Sequence, residues 1–330
     1  MMRPDGVEVA ILNHLQAGFP VERHPFAAAA APLNLTEEQL IARIGQMVEK
    51  GFFSRFAPLV NAERLGGAVT LVAMRIPAGE LEKVALQVNA FPQVSQNYGR
   101  DHAFNLWFVL STADKGEIAT TLDAIEHATG HPVYPMPKKT EYRVGFRLLI
   151  AEDGSVHTAS WQDPPPREGQ ADERDRAIIA AMQAGVPLEP TPYDRIAEQV
   201  GMLVEEVMER VEKLLACGIF RRLGGVPNHY RLGVRANGMS VWAIPEERVD
   251  QLGERVAKLD FITHCYHRPS PYPDWSFNLF AMIHAQERGQ VLARAEQVRQ
   301  VLGEDLLGWD ILFSTTVWKK TGLRLATPDS

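Results

Sequence analysis

Cysteine is nearly absent: Cys217 and Cys265 are the only two in 330 residues. One falls in a helical pattern and the other in a strand pattern. That argues against a disulfide framework and against a cysteine-based zinc site. Long apolar runs are missing as well. No stretch approaches the roughly 18 consecutive apolar residues of a membrane-spanning helix. The opening Met1-Met2-Arg3-Pro4-Asp5 lacks the apolar core of a signal peptide, so the expected location is the cytoplasm, with no membrane partner. Positive charge is in deficit. Lys and Arg number 34 against 41 Asp and Glu, for a net charge of −7, whereas a sequence-independent grip on nucleic acid needs a basic face. No Gly-x-Gly-x-x-Gly follows a strand, and there is no Walker A loop and no Gly-x-Ser-x-Gly elbow. No lysine stands in a clear pyridoxal context, and Lys319-Lys320 reads as a charged strand end.

What the chain does contain, it contains twice. Gln16-Ala17-Gly18-Phe19-Pro20 returns as Gln183-Ala184-Gly185-Val186-Pro187, and Gly51-Phe52-Phe53-Ser54-Arg55 as Gly218-Ile219-Phe220-Arg221-Arg222. Asn61 and Arg64-Leu65-Gly66 answer Asn228 and Arg231-Leu232-Gly233. Tyr98 and Arg100 answer Tyr266 and Arg268, and Phe104-Asn105-Leu106 answers Phe277-Asn278-Leu279. Each half is then a folding unit of roughly 150 residues, large enough for its own core, and two such units in one chain pair like a dimer. Positions where the halves differ are where function is specialised.

The second copy shows the elements more clearly. Ile178, Ile179 and Met182 lie at helical spacing in 172–184. Thr191 is placed to cap a helix from Pro192 to Val200, and a third helix from Met202 to Cys217 ends at Gly218. A strand at 219–223 completes a winged helix-turn-helix. The first copy repeats this over 9–58, with the alanine run Ala27–Ala31 and Pro32 in place of the middle helix. Each module is followed by a β-α-β-β-α-β order, the ferredoxin-like pattern. The expected fold class is α+β, a tandem repeat of winged helix-turn-helix plus ferredoxin-like domain. The expected divisions are 1–65, 66–150, a linker at 151–171 that contains Pro164-Pro165-Pro166, 172–233 and 234–330.

This architecture resembles the Lrp/AsnC family of transcription regulators. Within it, Tyr98-x-Arg100-x-His102-x-x-Asn105-Leu106-Trp107-Phe108 is similar to the D-type subunit of the siroheme decarboxylase family. Cys265-Tyr266-x-Arg268, followed by Asp274-Trp275-x-x-Asn278-Leu279-x-x-Met282-Ile283-His284, is similar to its L-type subunit. One departure is His267, where the L-type pattern is expected to carry arginine. The resemblance implies a fused enzyme of heme d1 biosynthesis that removes two acetate carboxyls from siroheme to give 12,18-didecarboxysiroheme. Similar paired subunits serve the heme-forming branch. It also implies siroheme as partner, an internal pseudo-dimer of the two halves, and no cofactor beyond the iron-containing tetrapyrrole itself.

The alternative from another class is an Lrp-like regulator that senses a small ligand; a third reading is a heme-binding sensor without turnover. A regulator needs a basic recognition helix. Here the candidate helices carry Glu205, Glu206, Glu209 and Glu212 against Arg210 and Lys213, and Glu37, Glu38 and Glu49 against Arg43 and Lys50. Both would repel phosphate, so no DNA partner is expected.

Strand alternation puts Tyr98, Arg100 and His102 on one face, and His264, Tyr266 and Arg268 on one face. The plainer reading is an exposed sheet surface; the resemblance favours a shared cavity. Arginine forks match carboxylates, so Arg100 and Arg268 are the first substrate-binding candidates. Arg222, His267, His229 and Trp275 follow, with Arg55 and Arg221 at the rim. Trp107, Phe108, Trp275 and Phe277 are the available flat walls. The proton that replaces the lost carboxyl suits a histidine: His102 first and His264 second, either of which is also a possible ligand of the siroheme iron. Tyr98 and Tyr266 are expected to orient these groups. His284 is a weaker candidate, and the insertion Pro269–Pro273 a possible lid.

Overall fold

The computed structural model describes residues 3–151, 155–159, 165–269 and 271–321. The first half opens with helices α1 (Gly6–Leu15), α2 (Pro25–Ala30) and α3 (Glu37–Glu49) and strand β1 (Phe53–Val60). The alanine run therefore does not replace the middle helix: it is that helix, begun by Pro25 in its first turn and continued as a 3-10 turn over Ala31–Leu33. Alanine has the highest helix propensity, so six residues suffice once Phe26, Ala29 and Ala30 are buried. The ferredoxin-like part follows as β2 (Ala68–Met74), α4 (Leu81–Asn89), β3 (Val94–Arg100), β4 (Leu106–Thr112), α5 (Glu117–Thr129), β5 (Tyr134–Met136) and β6 (Thr140–Val144).

A hairpin, β7 (Arg147–Ile150) and β8 (Val156–Ala159), then runs into the stretch expected as a plain linker. Residues 152–154, 160–164 and 270 and the segment 322–330 lie outside the described residues, and with them part of the proline-rich segment and part of the Pro269–Pro273 insertion. The second half repeats the order with α6 (Glu173–Met182), α7 (Pro192–Val200), α8 (Val204–Ala216), β9 (Phe220–Pro227), β10 (Ala236–Ala243), α9 (Val249–Ala257), β11 (Ile262–His267), β12 (Leu279–Ala285), α10 (Arg288–Leu302) and β13 (Gly308–Lys320). Thr191 holds the N-cap position of α7 without a side-chain bond. The helices α1, α3 and α6 begin instead on reciprocal capping boxes, Asp5 with Glu8, Thr36 with Gln39 and Asp172 with Asp175.

The halves interlock at two levels. The wings do not fold back within their own modules; β1 pairs antiparallel with β9, and both helical modules share one core that includes Phe26, Phe53, Tyr193 and Phe220. The ferredoxin-like parts form one nine-stranded sheet in the order β5-β2-β4-β3-β13-β10-β12-β11-β6. Its last strands cross over. β13 pairs with β10 of its own half through Phe313 and with β3 of the other half from Ser314. In the first half the equivalent strand is broken at residues 137–139: β5 pairs with β2, and β6 with β11 of the second half. The two end strands of the sheet, β5 and β6, are thus consecutive in sequence, which brings its ends close together.

The crossings are anchored alike. Lys319 donates to the carbonyls of Asn89 and Phe91 at the end of α4, and Arg143 to those of Ala257 and Leu259 at the end of α9. The Tyr142 ring packs against Gly253 of α9, where a Cβ would come within 2.2 Å of it.

Candidate active site

Between the inner faces of this sheet and the β1–β9 ribbon lies a cavity of about 480 Å³, a size suited to a small-molecule ligand. Strand alternation turns Tyr98 and Arg100 from β3, and His264 and Tyr266 from β11, towards it; Arg268, just past the end of β11, also lines it. Its apolar walls are Leu71, Trp107 and Val109 from the first half and Met239, Phe280 and Met282 at the matching positions of the second.

The two arginines are held as mirror images. Arg100 donates 2.7 Å to the carbonyl of Leu312 on β13, and Arg268 donates 2.5 Å to that of Met136 on β5, the corresponding strand of the first half. Each guanidinium also stands against the tyrosine two residues before it, Tyr98 at 5.7 Å and Tyr266 at 4.7 Å. Both Nε atoms are buried with no partner among the described residues, so each fork keeps donating capacity in reserve. Burial pushes the Arg100 guanidinium down to about 10 and lowers that of Arg268. It pushes the Tyr98 and Tyr266 hydroxyls far up, so both stay neutral phenols. Tyr98 donates 2.7 Å to Gln96.

Four more cations line the cavity: Arg55, Arg221, Arg222 and Lys320. Among the described residues no aspartate or glutamate does, in a chain with 41 of them. Arg55 is tied to the carbonyl of Thr321, Arg222 donates 2.9 Å to that of Gln16, and Arg221 stands 3.6 Å from Glu141 behind the wall.

The halves differ at the polar positions between these cations. Where the second half carries His229, Asn237, His264 and His284, the first carries Ala62, Val69, Gln96 and Ser111. The register agrees, since Val69 faces Ser111 as Asn237 faces His284. All eight line the cavity, so its histidines stand on one wall. Asn237 lies 3.1 Å from His229 Nε2 and 2.5 Å from His284 Nδ1, and Phe146 packs against both rings. His264 Nδ1 lies 2.9 Å from the Thr263 hydroxyl. Burial, then Arg221 and Lys320, push His264 down to about 4, against a weaker upward pull from Glu141. Burial also holds His229 and His284 well below the ordinary imidazole range.

Five residues expected here stand elsewhere, two of them, Phe108 and Phe277, packed in or against hydrophobic cores instead of forming walls. His102 does not share the face of Tyr98 and Arg100, because β3 ends at Arg100 and the chain bends. Its Nδ1 accepts 2.9 Å from the Phe104 amide, and its ring stacks on Phe104 and meets the edge of Trp275. His267 points away from the cavity, as a regular strand requires after Tyr266, with Nε2 3.2 Å from Glu246. Trp275 is buried between Trp107, Phe104 and Phe280, and does not line the cavity. Conversely, Lys320 is not a solvated strand end. It is largely buried, 3.2 Å from His229 Nδ1, and burial followed by the Arg55 charge brings it down to about 8. The signal that finds Lys320, Asn237 and His284 is the mismatch between repeats: each is polar where its counterpart is not equivalent.

The pattern of the AsnC-like ligand binding domain matches residues 64–143 and 231–319, and that of the siroheme decarboxylase NirDL-like HTH domain matches 8–53 and 175–221. The siroheme decarboxylase NirDL subunit of Paracoccus pantotrophus is 32% identical over 328 residues, 98% of this chain and 99% of that one. The chain belongs to the siroheme decarboxylase NirDL family. A siroheme decarboxylase NirH subunit, also from Paracoccus pantotrophus, is 51% identical over 154 residues, 47% of this chain and 96% of that subunit. About half of this chain thus corresponds to a complete subunit elsewhere in the siroheme decarboxylases, as the internal repeat requires. The crystal structure of the siroheme decarboxylase NirDL in co-complex with an iron-uroporphyrin III analogue aligns with TM-score 0.70 at 28% identity, over 95% of this chain and 92% of that one.

Proposed function

We propose that this chain is a siroheme decarboxylase that removes two acetate carboxyls and yields 12,18-didecarboxysiroheme, as in heme d1 biosynthesis. The observation that carries this reading is the cavity's charge. Six cations and, among the described residues, no lining acid, around flat apolar walls, fit a carboxylate-rich macrocycle. Arg100 and Arg268 grip carboxylates that are retained, from opposite sides, and Arg222 adds a contact at the wing. Tyr98 and Tyr266, as neutral phenols, donate to further carboxylate oxygens.

When the C–C bond to the carboxyl breaks, its electron pair passes into the macrocycle, so no co-reactant beyond the substrate is required. The CH2 carbon then takes one proton and becomes a methyl group. We assign that proton to His264, the cavity member of the two histidines first considered. Without substrate, burial first and then the cations around it keep it neutral. Bound carboxylates reverse that field and raise its pKa, so the imidazolium forms when substrate is present. The iron arrives with the substrate.

We read the helix-turn-helix modules as scaffold. On α8, Arg210 is held by Asp172, Asp175 and Glu206, and Lys213 by Asp175; on α3, Arg43 is held by Asp5, and Lys50, at its C-terminal end, by Glu8. Cations so occupied are poor phosphate contacts.

Anaerobic incubation with siroheme, read by mass spectrometry, tests the function. Loss of two carbon dioxide units is expected; an unchanged mass with a shifted absorbance spectrum would instead indicate a binding protein. Arg268→Ala or Arg100→Ala should weaken siroheme binding about ten- to hundredfold, the worth of a charge-assisted hydrogen bond. An absorbance titration measures this, and unchanged affinity in both variants would remove the arginines from the site.

A further inference from the structure

The cavity is nearly two-fold symmetric in its grip. Arg100 mirrors Arg268, Arg55 mirrors Arg222, and Tyr98 mirrors Tyr266. Groups so arranged hold a carboxylate-rich disc equally well in two orientations related by the pseudo-two-fold axis, yet the histidine wall exists on one side only. Something must choose the orientation.

Lys320 breaks the symmetry. It pairs with Gln96 on β3, and its counterpart, which pairs with His264 on β11, is Val144. The preceding Lys319 spends its ammonium on two carbonyls outside the sheet; Lys320 turns inward. Among the described residues no carboxylate lies within 4 Å of its Nζ, whose neighbours are the His229 ring nitrogen at 3.2 Å and the Tyr230 ring at 5.7 Å. Arg55 adds a like charge. An ammonium this buried without a counter-ion is costly unless an anion arrives to meet it. Arg221 also lacks a cationic counterpart, since Ser54 stands there, but Glu141 already faces it.

The residues behind Lys320 fit such a post. His229, kept neutral, accepts one ammonium hydrogen at Nδ1, which makes its Nε2 a donor; the Asn237 amide, whose nitrogen stands 3.1 Å from that Nε2 and whose oxygen stands 2.5 Å from His284 Nδ1, must turn over to accept from it. Turned over in this way, the Asn237 nitrogen donates to His284 Nδ1. Amide orientation follows the network and not the reverse, so a charged Lys320 fixes the polarity of the whole chain. Two ammonium hydrogens remain for a ligand.

We propose that Lys320, seated on the His229–Asn237–His284 chain, is the positioning residue that selects one of the two macrocycle orientations by binding a retained carboxylate. This rests on the siroheme reading above and adds what sets the order of carboxyl loss. A single charge-assisted hydrogen bond biases the two orientations by about ten- to hundredfold.

The test compares the full chain with Lys320→Met, Lys320→Gln and Lys320→Arg under anaerobic turnover of siroheme. The monodecarboxylated intermediate is collected early and its two ring isomers are separated. The wild type should give one isomer in about tenfold excess or more. Met and Gln should bring the ratio near one to one, and Arg, which keeps the charge, should restore most of the excess. Equal isomers from the wild type, or an undiminished excess in both Met and Gln variants, would overturn the proposal. A purely structural role would slow turnover or lower melting temperature without moving the isomer ratio. Circular dichroism of bound siroheme in its main absorption band reads orientation without turnover. If the wild type binds siroheme but releases no carbon dioxide, the functional reading fails, and an altered dichroic band in Lys320→Met would still uphold the orienting role; an unaltered band would end it.

Discussion

His264→Ala should slow carbon dioxide loss from siroheme by about 10²- to 10⁴-fold, the usual worth of a positioned general acid, while siroheme still binds. The argument runs from placement. Of the two histidines first considered as proton donors, only His264 lines the cavity. Its Nδ1 is engaged by Thr263, which orients the ring and leaves Nε2 as the transferable position. His264→Gln should behave like alanine, because an amide keeps the shape and gives up no proton. The contrasting variant is His102→Ala. That ring stacks on Phe104 outside the cavity, so turnover should stay within about threefold of wild type, since the substitution touches packing and not the acid. Single-turnover kinetics with mass detection separates the two residues. A large loss in His102→Ala with a small one in His264→Ala would reverse the assignment.

The contrast between these histidines shows how far sequence alone carries. Alternation correctly places Tyr98 with Arg100 and His264 with Tyr266, because each pair lies on an unbroken strand. It fails for His102, because a period-two pattern holds only while the strand lasts and nothing local in Gly99-Arg100-Asp101-His102 announces its end. The repeat reveals two equivalent units, and pairing follows from that. It does not reveal that β13 and β6 cross between halves, since the crossing depends on partners more than 100 residues away. Lys320 is missed for the same reason: at the end of a strand with a charged neighbour, it becomes an inner residue only when β3 of the other half is in place. The alanine run misleads differently. Without polar or large apolar residues it shows no amphipathic period, yet its intrinsic propensity and the burial of Phe26 make it a helix.

The same buried wall should make the ligand-free protein acid-labile, with stability falling steeply as the pH drops below about 6.5. His229, His264 and His284 are all kept neutral, burial being the first cause in each. In the unfolded chain an imidazole takes up its proton as the pH falls through about 6.5. In the native cavity His264 does so only near about 4, and the other two are likewise held well below the ordinary value. Between those limits the unfolded state binds more protons, so stability is complete above the unfolded value and is lost as the pH drops. Each refused proton costs about 1.4 kcal/mol per pH unit once the unfolded form is fully protonated, so three cost about 4 kcal/mol per unit. Against a typical total of about 5–15 kcal/mol, each pH unit below about 6.5 therefore removes a substantial share of the stability, before most carboxylates begin to titrate. Urea unfolding at closely spaced pH values from 7.5 to about 4.5 measures the slope directly. His284→Gln should remove about a third of it and move the acid midpoint downwards. Saturating siroheme should move it further, because its carboxylates make a protonated wall acceptable in the folded state. A flat stability between about pH 6.5 and 5 would mean that these histidines are already charged in the native protein, and the account of a substrate-raised proton donor would fall with it.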